Sequence, residues 1–490
     1  MTSEAIYDVV VVGGGGSGLA AAIEARAAGR EVVLLEKNPQ LGGSTAWSIG
    51  SVTASQTPHQ ARKGIVDNPA DHWRDMAGFN GELDTRDNAD LRRLLADEMP
   101  DTFRWLLQHG VRFYGPMPEP PHSKPRMHNV LPNSRAFITH LSKAAQRAGV
   151  NIVCGARATA LVTEQGRVTG VDCATADGPR RFRAQGGVVL TAGDFTSDPV
   201  LKAQFMGPQE AKIDGVNVTA TGDGQKLAVA LGARIINGDL ALGPELRFVP
   251  PPGRNILLSL PPWRLLANLM AWSLEYMPSA LLRPFVMSFV TTALAPSPDL
   301  FAEGALLINK LGQRFTDERD KPAFALPDQP DKVAYILLDR RHAELFSGWP
   351  HFISTAPGVA YAYIDDYRRN RADIFRQGAT LEALAGKLGM PAALVETVCN
   401  YNASAGNRNP LGEGPYVALG PLRAVFVHAE GGLAVDREHR VLGAGDSPIA
   451  GLYAAGSTGQ GGLLLKGHGH HLGWAFASGR RAGRNAALAV

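Results

Sequence analysis

Apolar positions along this chain follow three different rhythms. Near the N-terminus, Asp8-Val-Val-Val-Val12 is an unbroken β-branched run, the pattern of a parallel strand covered on both faces. Leu19 to Ala28 is Ala-rich and predicts a helix, and Glu31-Val-Val-Leu-Leu-Glu36 predicts a second strand. In the middle of the chain, apolar density peaks from Ile256 to Pro298, where Leu265, Leu269, Trp272 and Tyr276 recur at helical spacing. The longest charge-free run there lies between Arg283 and Asp299, too short and too Pro-broken to span a bilayer. Pro250, Pro251, Pro252, Pro261 and Pro262 break up any long element ahead of it.

The turn between the first strand and the helix reads Gly13-Gly-Gly-Gly16-Ser17-Gly18, which fits G-x-G-x-x-G at Gly13, Gly15 and Gly18. With a strand before it, a helix after it and an acid ending the next strand, this is the β-turn-α-β unit that binds a dinucleotide. Gly13 permits the tight turn, Gly15 lets a pyrophosphate approach the backbone, and Gly18 lets helix and strand pack closely. The helix N-terminus offers unpaired N–H groups and partial positive charge to phosphates. Glu36 is placed to accept hydrogen bonds from ribose hydroxyls, and its charge disfavours a 2′-phosphate.

A length of 490 residues exceeds what one hydrophobic core usually holds, which predicts two domains. Hydrophobic residues at 45% against 19% charged exclude a disordered chain. The net charge of +3 is scattered, giving no reason to expect nucleic acid as a partner. Cys154, Cys173 and Cys399 have no metal-ligand or CxxC spacing and read as idle thiols of a reducing cytoplasm. The start, MTSEAIYDVVVV, has no basic n-region, so no signal peptide is expected.

Several further segments carry a family resemblance. Glu36-Lys37-Asn-Pro-Gln-Leu-Gly42-Gly43-Ser44-Thr45 resembles the ExxxxxGGxT/S segment of the FAD-dependent fumarate reductase and succinate dehydrogenase flavoproteins, a family that includes L-aspartate oxidase, urocanate reductase and 3-ketosteroid Δ1-dehydrogenase. Ala156-Arg157-Ala158 resembles its adenine-holding stretch, Gly187-Val-Val-Leu-Thr-Ala192-Gly193 its VVLATGG turn, and Gly451-Leu-Tyr-Ala-Ala-Gly456 its GLYAAGE segment, with Ser457 in place of the glutamate. Gly222-Asp223-Gly224 resembles a helix start of the same family. The resemblance runs from Asp8 to about Ala487 and implies an α/β fold: a Rossmann-type FAD-binding domain (GR2-like) with an inserted α+β capping domain. The expected division is 1–239 and 428–490 for the FAD domain and 240–427 for the cap. Ser44 to Gly50 contains no histidine, so the FAD is expected to be held non-covalently.

What the resemblance implies for chemistry is hydride transfer at a flavin. Lys466-Gly-His468-Gly-His470-His471-Leu472 reads as a glycine-rich loop entering a helix near His470, whose N-terminus the family points at the flavin pyrimidine edge. Arg319 matches the proton-delivering arginine of the family's RDK segment, although pairing with Asp317, Glu318 or Asp320 is the plainer reading. His428-Ala-Glu-Gly-Gly432 resembles HTMGG, whose histidine binds a substrate carboxylate or carbonyl, with Gly432 letting backbone approach the flavin. His471 stands where the family's substrate-clamping arginine would stand. The histidine spacing invites a metal reading, but no carboxylate or cysteine ligand lies nearby in sequence and no metal is expected. The tyrosines of the ketosteroid branch are missing, and nothing selects Tyr114, Tyr361 or Tyr363 as a substitute.

The clamp is thus incomplete. The expected activity is a dehydrogenase or ene-reductase interconverting CH–CH and C=C beside a carbonyl, on an apolar, steroid-like or alicyclic ketone. A small-carboxylate reductase or oxidase, and a flavin-bearing electron-transfer subunit, are the alternatives. A quinone or flavoprotein is the expected redox partner, and a homo-oligomer is compatible with the pattern. Segment 256–298 has three open readings: cap core or subunit interface, a mouth for an apolar substrate, or a dip into the inner face of a membrane.

Overall fold

The computed structural model describes residues 3–251, 259–291, 294–356, 360–391, 393–404 and 409–490. Ile256 to Leu258, and residues 292 and 293 of the apolar segment, lie outside these.

The first strand, Ser3–Val12, is the axis of a parallel sheet. Val9–Val12 registers with Val32–Leu35 on one side and with Gly187–Leu190 on the other. Asn151–Cys154 extends the sheet beyond Val32–Glu36, and Pro448–Ala454 extends it beyond Gly178–Leu190. A strand flanked on both sides and covered by helices has no wet face, which is why Val9, Val10 and Val11 are wholly buried and need no polar alternation. Between the third and fourth of these parallel strands in the chain, Arg157–Glu164 and Arg167–Thr175 form an antiparallel hairpin that leads into Gly178–Leu190.

The Ala-rich helix Gly16–Ala27 returns from the glycine turn and meets the last helix, His470–Leu488. Their backbones almost touch. A Cβ on Gly479 would lie 2.3 Å from the Ser17 carbonyl oxygen, and one on Gly483 would lie 2.2 Å from that of Ala21. Two glycines four residues apart share one helix face, so a flat strip runs along the contact.

A second sheet holds the middle of the chain. Tyr416–Phe426 is its centre, antiparallel to Ala334–Leu338, Glu245–Phe248 and Phe375–Gly378, with Leu306–Asn309 outside Ala334–Leu338. The helices Leu381–Leu388 and Ala393–Asn402 contribute to a core of their own with Leu306, Ile308 and Leu337. The chain passes between the two sheets where Ile235–Ile236 pairs with Gly432–Leu433 and Ala241–Leu242 pairs with His428–Ala429. Asp214–Gly215, ahead of this crossing, adds a parallel edge to the second sheet.

Of the three readings of segment 256–298, cap core is corrected for its first helix. Helix Arg264–Tyr276 buries only Ala267 fully, and the stripe Leu265, Leu269, Trp272 and Tyr276 faces outward. Its inner side rests on the small sheet formed by Arg112–Met117 and Met127–Leu131, where the Tyr114 hydroxyl donates to the Leu274 carbonyl at 3.3 Å. The next helix, Ser279–Val290, is tied to helix Ile364–Asn370 by Arg283, which ion-pairs with Asp366. No helix among the described residues is long and apolar enough to cross a membrane.

Burial of several imidazoles has a consequence for stability. Burial, then the charge of Arg62, lowers His59 to about 4. Burial and neighbouring His59 lower His128 to about 3, and burial and Arg481 lower His439 to about 3. Unfolding frees each to take up a proton below its ordinary value of 6.5. Between that value and the folded-state values the unfolded chain holds more protons, so stability must fall as pH falls. Each group contributes at most about 1.4 kcal/mol per pH unit. Thermal unfolding of the holoprotein, followed from about pH 7 to about pH 5, is expected to show a Tm that drops steadily with acidification. A flat profile would contradict this account.

Candidate active site

A cleft opens at the carboxyl end of the first strand. It is lined by Gly13, Gly15, Gly16, Ser17, Glu36, Lys37, Gly43, Ser44, Thr45, Ala156, Ala158, Ala192, Gly193, Asp223, Gly456 and Ser457, with Asn217, Thr219 and Ala475. Segments far apart in sequence thus converge on one groove, at the strand ends where open α/β sheets bind ligands.

The glycines act as their spacing predicts. A Cβ on Gly13 would stand 2.4 Å from the Thr191 carbonyl oxygen, and one on Gly18 would stand 1.8 Å from that of Gly13. At Gly15 the nearest atom is 3.8 Å away, so the missing side chain leaves open space rather than a packed contact. Gly15 is also the N-cap of the first helix and carries no side-chain cap. Thr45 Oγ1 accepts from the Gly16 amide at 3.1 Å. A bare, positively polarised helix end facing an open groove fits a diphosphate.

The other end of the groove is built for an adenosine. Glu36 is buried, and its carboxylate accepts from the Gly14 amide at 2.7 Å and from the Asn38 amide at 2.8 Å. The Lys37 ammonium bridges Thr221 Oγ1 and Asp223, and Arg157 reaches the other oxygen of Asp223 at 3.1 Å. These residues fit FAD, and no histidine is among those lining the groove. Gly18, Gly42, Arg157, His470 and Leu472 stand behind or beside the lining rather than in it.

Beyond the Ser457 and Ala475 end of the groove lies a polar group that spans the chain. His471 is one turn before Ala475 on the last helix. Its ring centroid is 3.6 Å from that of His428. Behind both sits Glu430, whose Oε1 is 3.5 Å from His428 Nε2 and 3.6 Å from His471 Nε2. Its other oxygen accepts from Gln460 Nε2 at 2.5 Å and from the Leu465 amide at 3.1 Å. Burial alone would push Glu430 up. The neighbouring His471 and His428 outweigh it and hold the carboxyl well below the usual range, so it is an anion. Burial and the neighbouring His428 lower His471 to about 4 against the pull of Glu430, so this imidazole stays neutral. Gly432 is pressed against the Ser457 carbonyl and the Gln460 amide, with no room for a Cβ.

Sequence spacing missed Glu430. It sits two residues after His428, in the bend between His428–Ala429 and Gly432–Leu433, and the fold carries it to His471, so the carboxylate absent from the neighbourhood of His468–His471 in sequence is present in space. Asn217 and Thr219 were also missed, because they come from an irregular loop with no periodicity. Arg319, expected to deliver a proton, is 72% exposed and its Nε pairs with Asp317, not with the histidine pair. That is the plainer of its two readings. His468 turns away to Glu119, whose Oε1 accepts from both its amide and its Nδ1. His470 is buried beside His72 and His122, with ring centroids 5.8 and 5.2 Å apart. The trio His72, His122 and His470 and the trio His428, Glu430 and His471 are each close enough to share a cation.

Known proteins place this geometry. An NADH:fumarate oxidoreductase of Klebsiella pneumoniae (strain 342) is 25% identical over 473 residues, covering 92% of this chain and 44% of that protein. The chain therefore spans less than half the length of that relative. The 4-oxocyclohexanecarboxylate 2-dehydrogenase of Sinomonas cyclohexanicum is 24% identical over 595 residues, covering 99% of this chain and 94% of that one. The open conformation of a flavocytochrome c3 fumarate reductase superposes with a TM-score of 0.72 at 25% identity, covering 100% of this chain and 79% of that structure. A family model described as an FAD binding domain matches residues 8–252 and 265–464.

Because the void beside Gly15 is where the diphosphate must approach, Gly15→Val is expected to leave a folded but colourless protein. Flavin content per chain should fall about tenfold or more, read by absorbance after gel filtration, while circular dichroism stays unchanged. The wide match of the family model, together with a groove whose glycines, helix end and acid suit the same coenzyme, means that this chain belongs to the FAD binding domain family.

Proposed function

We propose that this chain, with 240–427 acting as a cap, interconverts CH–CH and C=C next to the carbonyl of an apolar ketone. The observation that carries this reading is the histidine pair backed by Glu430, with His471 neutral, where the family resemblance implies a cationic clamp. A substrate carboxylate would have to sit against His471, a few ångströms from the buried charge of Glu430. A ketone oxygen asks only for a hydrogen-bond donor. The relative named for 4-oxocyclohexanecarboxylate, a cyclic ketone that also bears a carboxylate, supports chemistry next to a ring carbonyl.

The groove residues Gly15, Gly16, Glu36, Ser44 and Thr45 hold the dinucleotide, which when bound supplies a hydride acceptor or donor. The work of the chain is to move the accompanying proton and to steady the oxygen. A neutral imidazole carries one ring N–H, and at His471 this N–H is the donor for the substrate oxygen. His471 is too weak a base to ionise and is assigned to substrate orientation. Proton exchange falls to His428. Glu430 is a positioning residue for both. Electrons leave or enter through a quinone or a flavoprotein. A small-carboxylate reaction is the second reading, favoured by the fumarate-named relative.

Anaerobic mixing separates the two. Rapid loss of flavin colour with a 3-ketosteroid or a substituted cyclohexanone supports the proposal, and rapid loss with succinate but with no ketone sinks it. His428→Ala should lower the rate of flavin reduction about 100-fold or more. Glu430→Gln should lower it about tenfold and shift its pH profile. His471→Arg should raise the rate with small carboxylates relative to ketones.

A further inference from the structure

The outward stripe of helix Arg264–Tyr276 is larger than isolated surface residues explain. Trp263 is 70% exposed, Leu265 84%, Leu269 58%, Trp272 55% and Tyr276 71%. Positions 265, 269, 272 and 276 fall on one face, and Trp263 precedes the first turn. Leu281, on the following helix, is 59% exposed and continues the surface. Nothing in the described chain covers this face.

The surroundings of the stripe are basic. Pro262, at the foot of the helix, accepts a hydrogen bond from His140, whose environment is set by burial and then by the nearby charges of Lys143, Arg112 and Arg147. Arg264 lies close enough to Arg112 to act on it electrostatically. Arg62 and Lys63 cluster with Arg112 around His59 on the same flank. Glu275 is the acid of this helix, and it is paired with Lys63 at 3.3 Å. Arg62, Lys143, Arg147 and Arg264 are exposed and form no ion pair among the described residues.

We propose that this face docks the enzyme on the surface of an anionic lipid bilayer, with the helix lying in the interface plane. Trp263, Trp272 and Tyr276 have the amphipathic rings that settle at headgroup depth, and Leu265 and Leu269 reach the acyl boundary. The flanking cations meet anionic headgroups, each adding attraction that salt screens. A 13-residue helix spans about 20 Å along its axis, which suits lying on a membrane and not crossing it. A second copy of this chain is the competing occupant, and light scattering reads it. The inference is independent of the substrate assigned above. It supplies a route for a lipid-dissolved reactant or electron carrier to reach the protein.

The test uses holoprotein and sedimenting vesicles of pure phosphatidylcholine or of phosphatidylcholine with phosphatidylglycerol. Expected is binding to the anionic vesicles that weakens with salt, with tryptophan emission quenched by brominated lipid. Replacing Trp263, Leu265, Leu269 and Trp272 together by Ser should weaken binding on the order of tenfold or more, with flavin content and Tm kept. Arg264→Gln combined with Lys143→Gln should weaken it in proportion to the anionic lipid fraction. No binding to anionic vesicles at low salt overturns the proposal, as does binding that the Ser variant leaves intact. A dimer in light scattering that the Ser variant dissociates also overturns it. Brominated-lipid quenching is read on the unmodified protein, so the outcome does not hinge on a variant folding.

Discussion

The contact on which the rest of this structure depends is the backbone-to-backbone approach of the first and last helices. Gly479 and Gly483 lie against the carbonyls of Ser17 and Ala21, where any side chain would force the helices apart. That contact joins residues separated by most of the chain. It seats Gly456 beside Ser17 and brings Ala475 to the groove. It also aims the start of the last helix past the cleft, so that His471 meets His428. The groove and the histidine pair are two ends of one arrangement, set by how closely two helices can come.

The electrostatics of that arrangement are those of a buried anion with two imidazoles in front of it. A buried carboxylate is costly unless its lone pairs are used, and Glu430 has Gln460, the Leu465 amide and two ring nitrogens near it. Asp87 stands close by and meets its burial differently. Burial pushes it up to about 6 although the Leu464 amide and Arg92 favour its charge. Two acids of one neighbourhood therefore answer burial in opposite directions, Asp87 taking up its proton at a higher pH than an ordinary carboxylate and Glu430 at a lower one.

The middle of the chain trades one kind of cover for another. Its sheet buries Tyr416–Phe426 from both faces, whereas helix Arg264–Tyr276 leaves its apolar stripe outside and uses its narrow inner side against Arg112–Met117. A helix so apolar normally sits inside a core. Here it rests one side on the small sheet of Arg112–Met117 and Met127–Leu131 and leaves the other uncovered by the described residues.

By itself the sequence determined the β-turn-α-β unit, the acid at Glu36, the coenzyme and the segments that gather around it. These features are local: a β-branched run, three glycines at fixed offsets and an acid at the end of a strand each carry their physical reason within a few residues. Helical spacing likewise announced the stripe 265/269/272/276. Tertiary structure alone decided which way that stripe faces, because 3.6-residue periodicity names a face and says nothing of what lies opposite. It alone decided that Arg319 stands in solvent beside Asp317, and that Glu430, from the bend after His428–Ala429, backs a histidine on the last helix. Charge pairing across the fold depends on distances of a few ångströms between segments whose separation along the chain carries no trace of them.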